Sequence, residues 1–339
     1  MRIAIFAAIG AKNLWDELIL KNEIQYFKHV YGKDTKFSIF TYDVKNPFIV
    51  SKKIKYLEYF PCESKKIKNI YRNIKNFYKF ISVVKKSDLI VIWGGGIFFD
   101  NEWTNVSDPL KSWIFRSKIF KFFNKKVRFH SIGLNIKNTD NLDKIKDIFL
   151  IKNAEITVRD KYSHDLLKSL WMHSNIIADP VFSDKWTLKK ILKTSYCLEK
   201  LHPKQFSPDD LKGYNLEWKR IWIAFRAGYF WDDDKTMTEL IEYLLEKKWK
   251  IILVPNSFHP TDEQSNDFDF LERYSKIYGL PICTNMGESY TMYKENKIDI
   301  CLWMRLHSMI LSQVYKIPFI AFSYSKKTDE MLKIIGKKS

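Results

Sequence analysis

The stretch LIVIWGGG, residues 89–96, shows which kind of sheet the chain builds. Its first five residues are all apolar and lack the polar alternation of a strand with one face in water. A continuous apolar run of this length is typical of a parallel strand that is covered by helices on both faces. Short stretches rich in β-branched and aromatic residues, which predict further strands, occupy residues 3–8, 37–42, 127–132 and 155–158. The first half of the chain therefore predicts a parallel sheet.

Stretches with helical spacing separate these strands, and the same alternation returns after residue 218. The predicted helices of the first half are residues 15–30, 67–84, 113–123 and 161–170. In the second half, we predict strands at residues 221–225, 250–254, 299–303 and 319–322. The helices of that half are predicted at residues 236–246, 267–278, 308–315 and 328–335. Strands that alternate with helices in this way predict βαβ units in both halves.

Residues 184–218 interrupt the alternation, because they contain two prolines and a glycine and show no clear strand. We therefore predict an N-terminal Rossmann-like domain at residues 1–185, a connector at 186–218 and a C-terminal Rossmann-like domain at 219–339 that ends in a helix. The predicted fold class is α/β, with two Rossmann-like doubly wound domains facing a cleft, as in GT-B-like proteins. A chain of 339 residues is long enough for two such cores.

The cysteines and the apolar segments point to a cytoplasmic protein. The four cysteines are far apart and show no CxxC spacing, which argues against a zinc site or a disulfide framework and fits a reducing compartment. The opening MRIAIFAAIG lacks a small-residue cleavage site, so we interpret it as a buried strand and not as a signal peptide. No run of 18 apolar residues is free of charges, so no transmembrane helix is expected.

The net charge of +18 raises the question of an acidic partner. The lysines are spread along the whole chain, without a zinc finger, an aromatic RNA-binding motif or a continuous basic helix, so we expect no nucleic-acid partner. One run, KSWIFRSKIFKFFNKK at residues 111–126, mixes basic and aromatic residues at helical spacing. It leaves two interpretations open: peripheral association with the inner face of a membrane, or a helix packed on the sheet with its lysines reaching into water.

Two loops of the first half follow predicted strands and so lie where parallel sheets bind ligands. In the first loop, AIGAKNLWDE, Asn13 and Asp16 either cap the next helix or bind ligand hydroxyl groups. In the other, Gly94, Gly95 and Gly96 allow close approach to backbone N–H groups, although no Walker or GxGxxG motif is present. A ligand loop and a tight turn without a ligand both explain the three glycines.

Two arginines and a histidine follow strands of the second half. Arg226 comes after the strand at 221–225, and Arg305 and His307 come after the strand at 299–303. Together they predict a cationic pocket for a small anion with two or three charges, because guanidinium groups bind carboxylate and phosphate bidentately. The alternative for Arg305 is an ion pair with a nearby carboxylate such as Asp299 or Glu288.

At this point the motifs resemble those of the polysaccharide pyruvyl transferases, over nearly the full length. The most specific segment is MRLHSMILSQVYKIPFIAFSYSKKTDEML, in which Arg-x-His enters a helix and Tyr-x-x-Lys precedes the last one. The other matching segments are GAKNLWDELIL, VIWGGGIFFD, HSIGLNI, ITVRDKYSHDLL, ADPVF and IAFRAG. The family transfers a pyruvyl group from phosphoenolpyruvate to a sugar, forming a ketal across two hydroxyl groups.

The resemblance implies that Arg226, Arg305, Leu306 and His307 hold the donor. From the chemistry of phosphoenolpyruvate we expect His307 to be the proton donor and Arg305 the second catalytic residue. Lys326 or Lys327 either reaches the phosphate or lies on the solvated face of the last helix. We expect no metal, because the sequence shows no cluster of carboxylate, His or Cys ligands. No cofactor is expected beside the donor substrate phosphoenolpyruvate, and the resemblance implies a sugar or lipid-linked saccharide as the acceptor.

The acceptor side would be formed by five residues of the first half: Asn13, Asp16, Gly94, Gly95 and Gly96. The family's first loop usually reads Gly-Asn-x-Gly-Asp, whereas Lys12 and Trp15 replace both glycines here. Two alternatives therefore stay open: a GT-B-type glycosyltransferase that uses a nucleotide-sugar donor, and a catalytically silent relative that binds an anion or a sugar.

Overall fold

The structure is a computed structural model, and its chain forms two compact units. The first unit consists of Met1–Ala11 and Asp16–Ser183, and the second of Lys12–Trp15 and Asp184–Ser339. The residues that the structure describes are 1–60, 68–94, 97–100, 109–136, 138–177, 196–201, 207–211, 220–225, 235–259, 266–295, 298–323, 328–329 and 332.

The first unit is built on a seven-stranded parallel sheet with the strand order β3-β2-β1-β4-β6-β8-β9. These strands are β1 (Arg2–Phe6), β2 (Lys36–Thr41), β3 (Ile54–Glu58), β4 (Leu89–Trp93), β6 (Val127–Ile132), β8 (Ala154–Val158) and β9 (Asn175–Ile176). Two short strands, β5 (Phe98–Phe99) and β7 (Leu134–Asn135), pair with each other. The helices are α1 (Leu14–Tyr31), α2 (Lys68–Lys86), α3 (Pro109–Phe122), α4 (Leu142–Phe149) and α5 (Lys161–Ser169).

The apolar runs that predicted the sheet form its buried centre. All five residues of β4 are buried, and on β1 Phe6 stacks on Phe40 of β2 with ring centroids 4.2 Å apart. The predicted strands at the positions of β1, β2, β4, β6 and β8 are confirmed. The strand order reverses direction between β1 and β4, which is the type of point where doubly wound sheets bind ligands.

The second unit contains a five-stranded parallel sheet with the order β10-β14-β13-β11-β12. Its strands are β10 (Cys197–Leu201), β11 (Arg220–Ala224), β12 (Lys250–Leu253), β13 (Ile300–Trp303) and β14 (Phe319–Phe322). Its helices are α6 (Lys235–Glu246), α7 (Asp267–Tyr278), α8 (Met286–Glu295) and α9 (Leu306–Tyr315). After β12 the chain returns to the other side of β11, so the order reverses between β11 and β13.

The prediction of a stretch without strands at residues 184–218 is wrong. Cys197–Leu201 forms β10, an edge strand that pairs in parallel with β14. The sequence analysis also omitted β3 at the edge of the first sheet, and the helices α4 and α8. Most of the predicted C-terminal helix, residues 328–335, lies outside the described residues.

The basic and aromatic run at residues 111–126 is mainly α3, and it packs against the sheet. Trp113 and Phe120 are buried, and the guanidinium of Arg116 lies 4.6 Å from the Trp113 ring centroid. Lys111 and Lys118 are exposed, as expected for a packed helix whose lysines extend into water. Within the described part of the chain, we find no helix with the length and apolar character needed to cross a bilayer.

Candidate active site

The reversal of strand order in the second sheet places the ends of β11 and β13 side by side. Ala224, the last residue of β11, pairs with Trp303, the last residue of β13. Met304 continues this pairing by donating its N–H to the Ala224 carbonyl at 3.3 Å. Arg305 follows directly and is the N-cap residue of α9, with an extended backbone. The crevice beside two such strand ends is where open parallel sheets bind ligands.

Arg305 has a buried partner, Asp267 at the start of α7. Its Nε donates to Oδ2 of Asp267 at 2.6 Å, and its Nη2 donates to Oδ1 at 2.5 Å. The Asp267 side chain is 1% exposed and the Arg305 side chain 13%. Removing two charges from water to this extent costs free energy, which the pair offsets only if its hydrogen bonds are well aligned. The two side-on hydrogen bonds provide that alignment.

The two carboxylates that the sequence analysis considered for this ion pair bind elsewhere. Asp299 accepts the Arg220 backbone N–H at 2.8 Å and lies 3.5 Å from its Nε. Glu288 accepts the backbone N–H of Thr284 at 2.7 Å in the first turn of α8. The ion-pair interpretation of Arg305 is therefore confirmed, but the partner is Asp267 and neither of the two carboxylates named from the sequence. The partner lies 38 residues before Arg305 and comes from a different loop.

The side-on pair determines how Arg305 can act on a ligand. Asp267 takes one N–H of Nε and one of Nη2, and the other three N–H groups of the guanidinium point away from this carboxylate. An anion at the end of β13 would therefore have to approach the guanidinium from a side that Asp267 does not occupy. The buried carboxylate fixes the orientation of that side.

A hydrogen-bonded network links this ion pair to the first loop within the second unit. The Asn256 N–H donates to Oδ2 of Asp267 at 3.3 Å, and the Asn256 carbonyl accepts the Leu14 N–H at 3.1 Å. Asn13 forms an antiparallel bridge with Ser257. Residues 12–15 belong to the second unit through these contacts. The first loop and Arg305 thus share one polar network.

The sequence analysis missed both Asn256 and Asp267. Asn256 is buried, and its Oδ1 accepts a hydrogen bond from the Tyr293 hydroxyl at 2.9 Å. Asn256 follows β12 directly in VPNS, and Asp267 follows the N-cap residue Asn266. The position of Asn256, a polar residue shortly after a strand, could have indicated from the sequence that it belongs to the site. Asp267 instead resembles an ordinary acidic residue of a helix first turn.

Four of the predicted donor and acceptor residues lie outside the described residues: Arg226, Lys326, Gly95 and Gly96. Leu306 is the first residue of α9 and is half-buried. His307 is the second residue of that helix, and its side chain is not among those that the structure describes. The structure therefore brings Arg305, Leu306 and the His307 backbone together at one strand end.

Asn13, Asp16 and Gly94 lie after β1 and β4, the two strands at the switch point of the first sheet. Asn13 caps α1, because its Oδ1 accepts the Trp15 N–H at 3.1 Å. Asp16 is half-buried in the first turn of α1. Gly94 has a φ of +125°, which only glycine adopts readily. The helix-cap interpretation of Asn13 is confirmed, and ligand binding by the three residues stays a prediction.

A further carboxyl group, that of Glu17, lies at the end of the first loop and binds back to its start. Glu17 is buried, and its Oε1 accepts the Gly10 N–H at 3.0 Å. Burial raises the pKa of Glu17 to about 7, the hydrogen bond from Gly10 opposes this rise, and the charge of Asp43 adds to it. The loop is thus held by a carboxyl group that titrates near neutral pH.

The described residues include no group of three or more His, Cys, Asp or Glu side chains that could hold a metal ion. Arg305, oriented by Asp267, can bind an anion at the end of β13, and the first loop is hydrogen-bonded to the same network.

Comparison with solved structures shows the fold. The chain is 13% identical to the UDP-GlcNAc 2-epimerase from Methanocaldococcus jannaschii, covering 100% of this chain and 94% of the epimerase, with a TM-score of 0.51. It is 14% identical to a glycosyltransferase from Rickettsia africae, over 99% of this chain and 89% of that one, with a TM-score of 0.52. The two parallel α/β sheets are thus GT-B-like, as predicted.

Comparison of sequences shows the family. No curated protein matches the chain. The family model described as polysaccharide pyruvyl transferase matches residues 16–326, which include the whole second sheet, all strands of the first sheet except β1, and both Arg305 and Asp267. The chain therefore belongs to the polysaccharide pyruvyl transferase family.

Proposed function

We propose that the protein transfers a pyruvyl group from phosphoenolpyruvate to a sugar of a polysaccharide or of its precursor, forming a ketal and releasing phosphate. The observation that carries the proposal is the Arg305 guanidinium, which Asp267 orients at the switch point of the second sheet. Family membership supplies the class of reaction. Phosphoenolpyruvate suits this position because it carries a carboxylate and a phosphate for arginine to bind.

In the proposed reaction, His307 donates a proton to the methylene carbon of phosphoenolpyruvate, which becomes a methyl group. C2 then carries positive charge, and one sugar hydroxyl attacks it and loses its proton. The bond from C2 to the phosphate oxygen then breaks and phosphate leaves. A second hydroxyl attacks C2 and gives its proton to the departing phosphate, which closes the ketal. Arg305, Arg226 and Lys326 neutralise the donor's charges, and Leu306 packs against it. Positioning and charge neutralisation would supply most of the rate.

The acceptor is proposed to bind to residues that follow β1 and β4 in the chain. Asn13, Asp16 and the glycines 94–96 would contact its hydroxyl groups beside β1 and β4. Lys12 and Trp15 replace the usual glycines of this loop, so the acceptor would differ in shape from the usual acceptors of the family. The proposal keeps the cytoplasmic location that the sequence predicts.

Titration calorimetry with phosphoenolpyruvate tests the donor site. We expect one saturable site in the parent protein and about 30-fold weaker binding by Arg305→Lys, because lysine keeps the charge and loses the planar fork, at a cost of about 2 kcal/mol. Arg220→Lys is the matched control. It changes an exposed arginine that also pairs with an aspartate, and it should bind phosphoenolpyruvate as the parent does.

Two results would contradict the proposal. If Arg305→Lys and Arg220→Lys bind phosphoenolpyruvate equally well, Arg305 is not part of a donor site. If a mass-tagged donor screen shows turnover of a nucleotide sugar without phosphoenolpyruvate, the protein is a glycosyltransferase. Binding of phosphoenolpyruvate without turnover of any acceptor would favour the catalytically silent relative.

A further inference from the structure

The outward face of α2 differs from an ordinary solvated helix face. Phe80 and Val84 on the inner face are buried in the core of the first unit. On the opposite face, Tyr71 is 78% exposed, Ile74 51% and Tyr78 69%. Residues spaced by three, four and seven positions lie on one side of a helix. The helix thus carries apolar groups on both its inner and its outer faces.

Exposed lysines lie next to these three side chains, and the helix contains no acidic residue. Its 19 residues include six basic ones, KNIYRNIKNFYKFISVVKK. Lys75, Lys79 and Lys86 are exposed, and helical geometry places them along one side of the tyrosines, whereas the exposed Lys85 lies two turns after Tyr78 on the same face. The positive charge of Arg72 is already compensated by Glu58, which lies 2.8 Å from its Nε. The lysines therefore form the basic border of an aromatic patch.

We propose that this outward face, made of Tyr71, Ile74, Tyr78 and the bordering lysines, binds the surface of an anionic phospholipid bilayer. Tyrosines prefer the boundary between headgroups and acyl chains, where the ring is in an apolar environment and the hydroxyl group meets water. Lysines around them are attracted to anionic headgroups, and the net charge of +18 adds to this attraction.

The charge pattern favours a lipid surface over a protein partner, since the patch offers no acidic group for specific pairing. α3, the other basic and aromatic helix, does not compete for this role, because its Trp113 and Phe120 are buried. The inference does not rest on the proposed reaction. Bilayer binding can be measured without any substrate.

Vesicle sedimentation of the full chain tests the inference. We expect binding to vesicles of equal parts phosphatidylcholine and phosphatidylglycerol, a steep loss of binding as salt is added, and no binding to phosphatidylcholine alone. Lys75→Glu/Lys79→Glu should lower the partition coefficient at least about tenfold, since each reversal removes an attraction and adds a repulsion. Tyr71→Ser/Tyr78→Ser should lower it as well.

The matched control is Lys152→Glu/Lys168→Glu, which reverses two exposed lysines near β8 and β9, at the opposite edge of the same sheet. It has the same net charge as the α2 lysine variant and should bind like the parent. Circular dichroism and unfolding midpoints establish that all variants fold, which is expected because every changed side chain is exposed.

Several outcomes would overturn the inference. Absence of binding to the anionic vesicles would do so, and so would equal binding to phosphatidylcholine alone. Equal losses in the α2 variant and the control would assign the effect to net charge. Full binding by the tyrosine variant would exclude an inserted aromatic face. An RNA gel shift that the α2 variant loses, in a protein that does not bind vesicles, would assign the face to nucleic acid.

Discussion

Replacing Asp267 with asparagine is expected to lower the free energy of unfolding by about 3–5 kcal/mol, the largest change that we predict for one substitution. The side chain keeps its shape, but the charge that compensates Arg305 disappears. Arg305, whose side chain is only 13% exposed, then loses the carboxylate that binds two of its N–H groups. Urea denaturation of the parent and of Asp267→Asn measures the difference.

Asp299→Asn is the control, because it removes the aspartate of the other arginine pair in the same unit. The Arg220 and Asp299 side chains are 44% and 37% exposed, so this substitution should cost no more than about 1 kcal/mol. Equal effects of the two substitutions would show that the Arg305 pair contributes no more than a surface ion pair. The double variant Asp267→Asn/Arg305→Met should recover part of the loss, since removing both charges leaves neither one buried alone.

The fold was predictable wherever strands are buried on both faces. In β4 and β13 every residue is buried, so the sequence shows an uninterrupted apolar run. Two of the omitted strands, β3 and β10, are sheet edges and contain charged residues in IKYLE and CLEKL, whereas the omitted β5, β7 and β9 have only two residues each. Charges on edge strands discourage pairing with other chains, and they also remove the apolar signal on which sequence reasoning depends.

The position of Arg305 at a strand end was predictable from the sequence, whereas its ion-pair partner was not. Arg305 lies at the end of a strand, as the apolar run ICLWM before it implies. Its partner depends on how α7 begins after a long connection that follows β12, and residue spacing contains no information on that contact. Nearby carboxylates in the sequence, Asp299 and Glu288, were therefore poor guides. The same reasoning explains why Asn256 was missed.

Glu17 gives a second large prediction, on the pH dependence of stability. Its pKa is about 7 in the folded protein, whereas an exposed glutamate has a pKa of about 4.5. The folded state therefore holds the proton more tightly than the unfolded state. Stability due to this group is greatest below pH 4.5, falls as the pH rises towards 7 and is constant above that. One pKa unit corresponds to about 1.4 kcal/mol, so the decline is about 3 kcal/mol.

Glu17→Gln should remove this dependence while keeping an oxygen for the Gly10 N–H. Urea denaturation at several pH values between 5 and 8 should show the variant gaining stability relative to the parent as the pH rises, by about 3 kcal/mol in all. Glu58→Gln is the control. The hydrogen bond from Arg72 lowers the pKa of Glu58, so its difference from the parent should stay constant over the same range. A constant difference for Glu17→Gln as well would mean that the Glu17 carboxyl ionises like an exposed one. The stability of the first loop, which contains the proposed acceptor residues Asn13 and Asp16, would then not depend on protonation of Glu17.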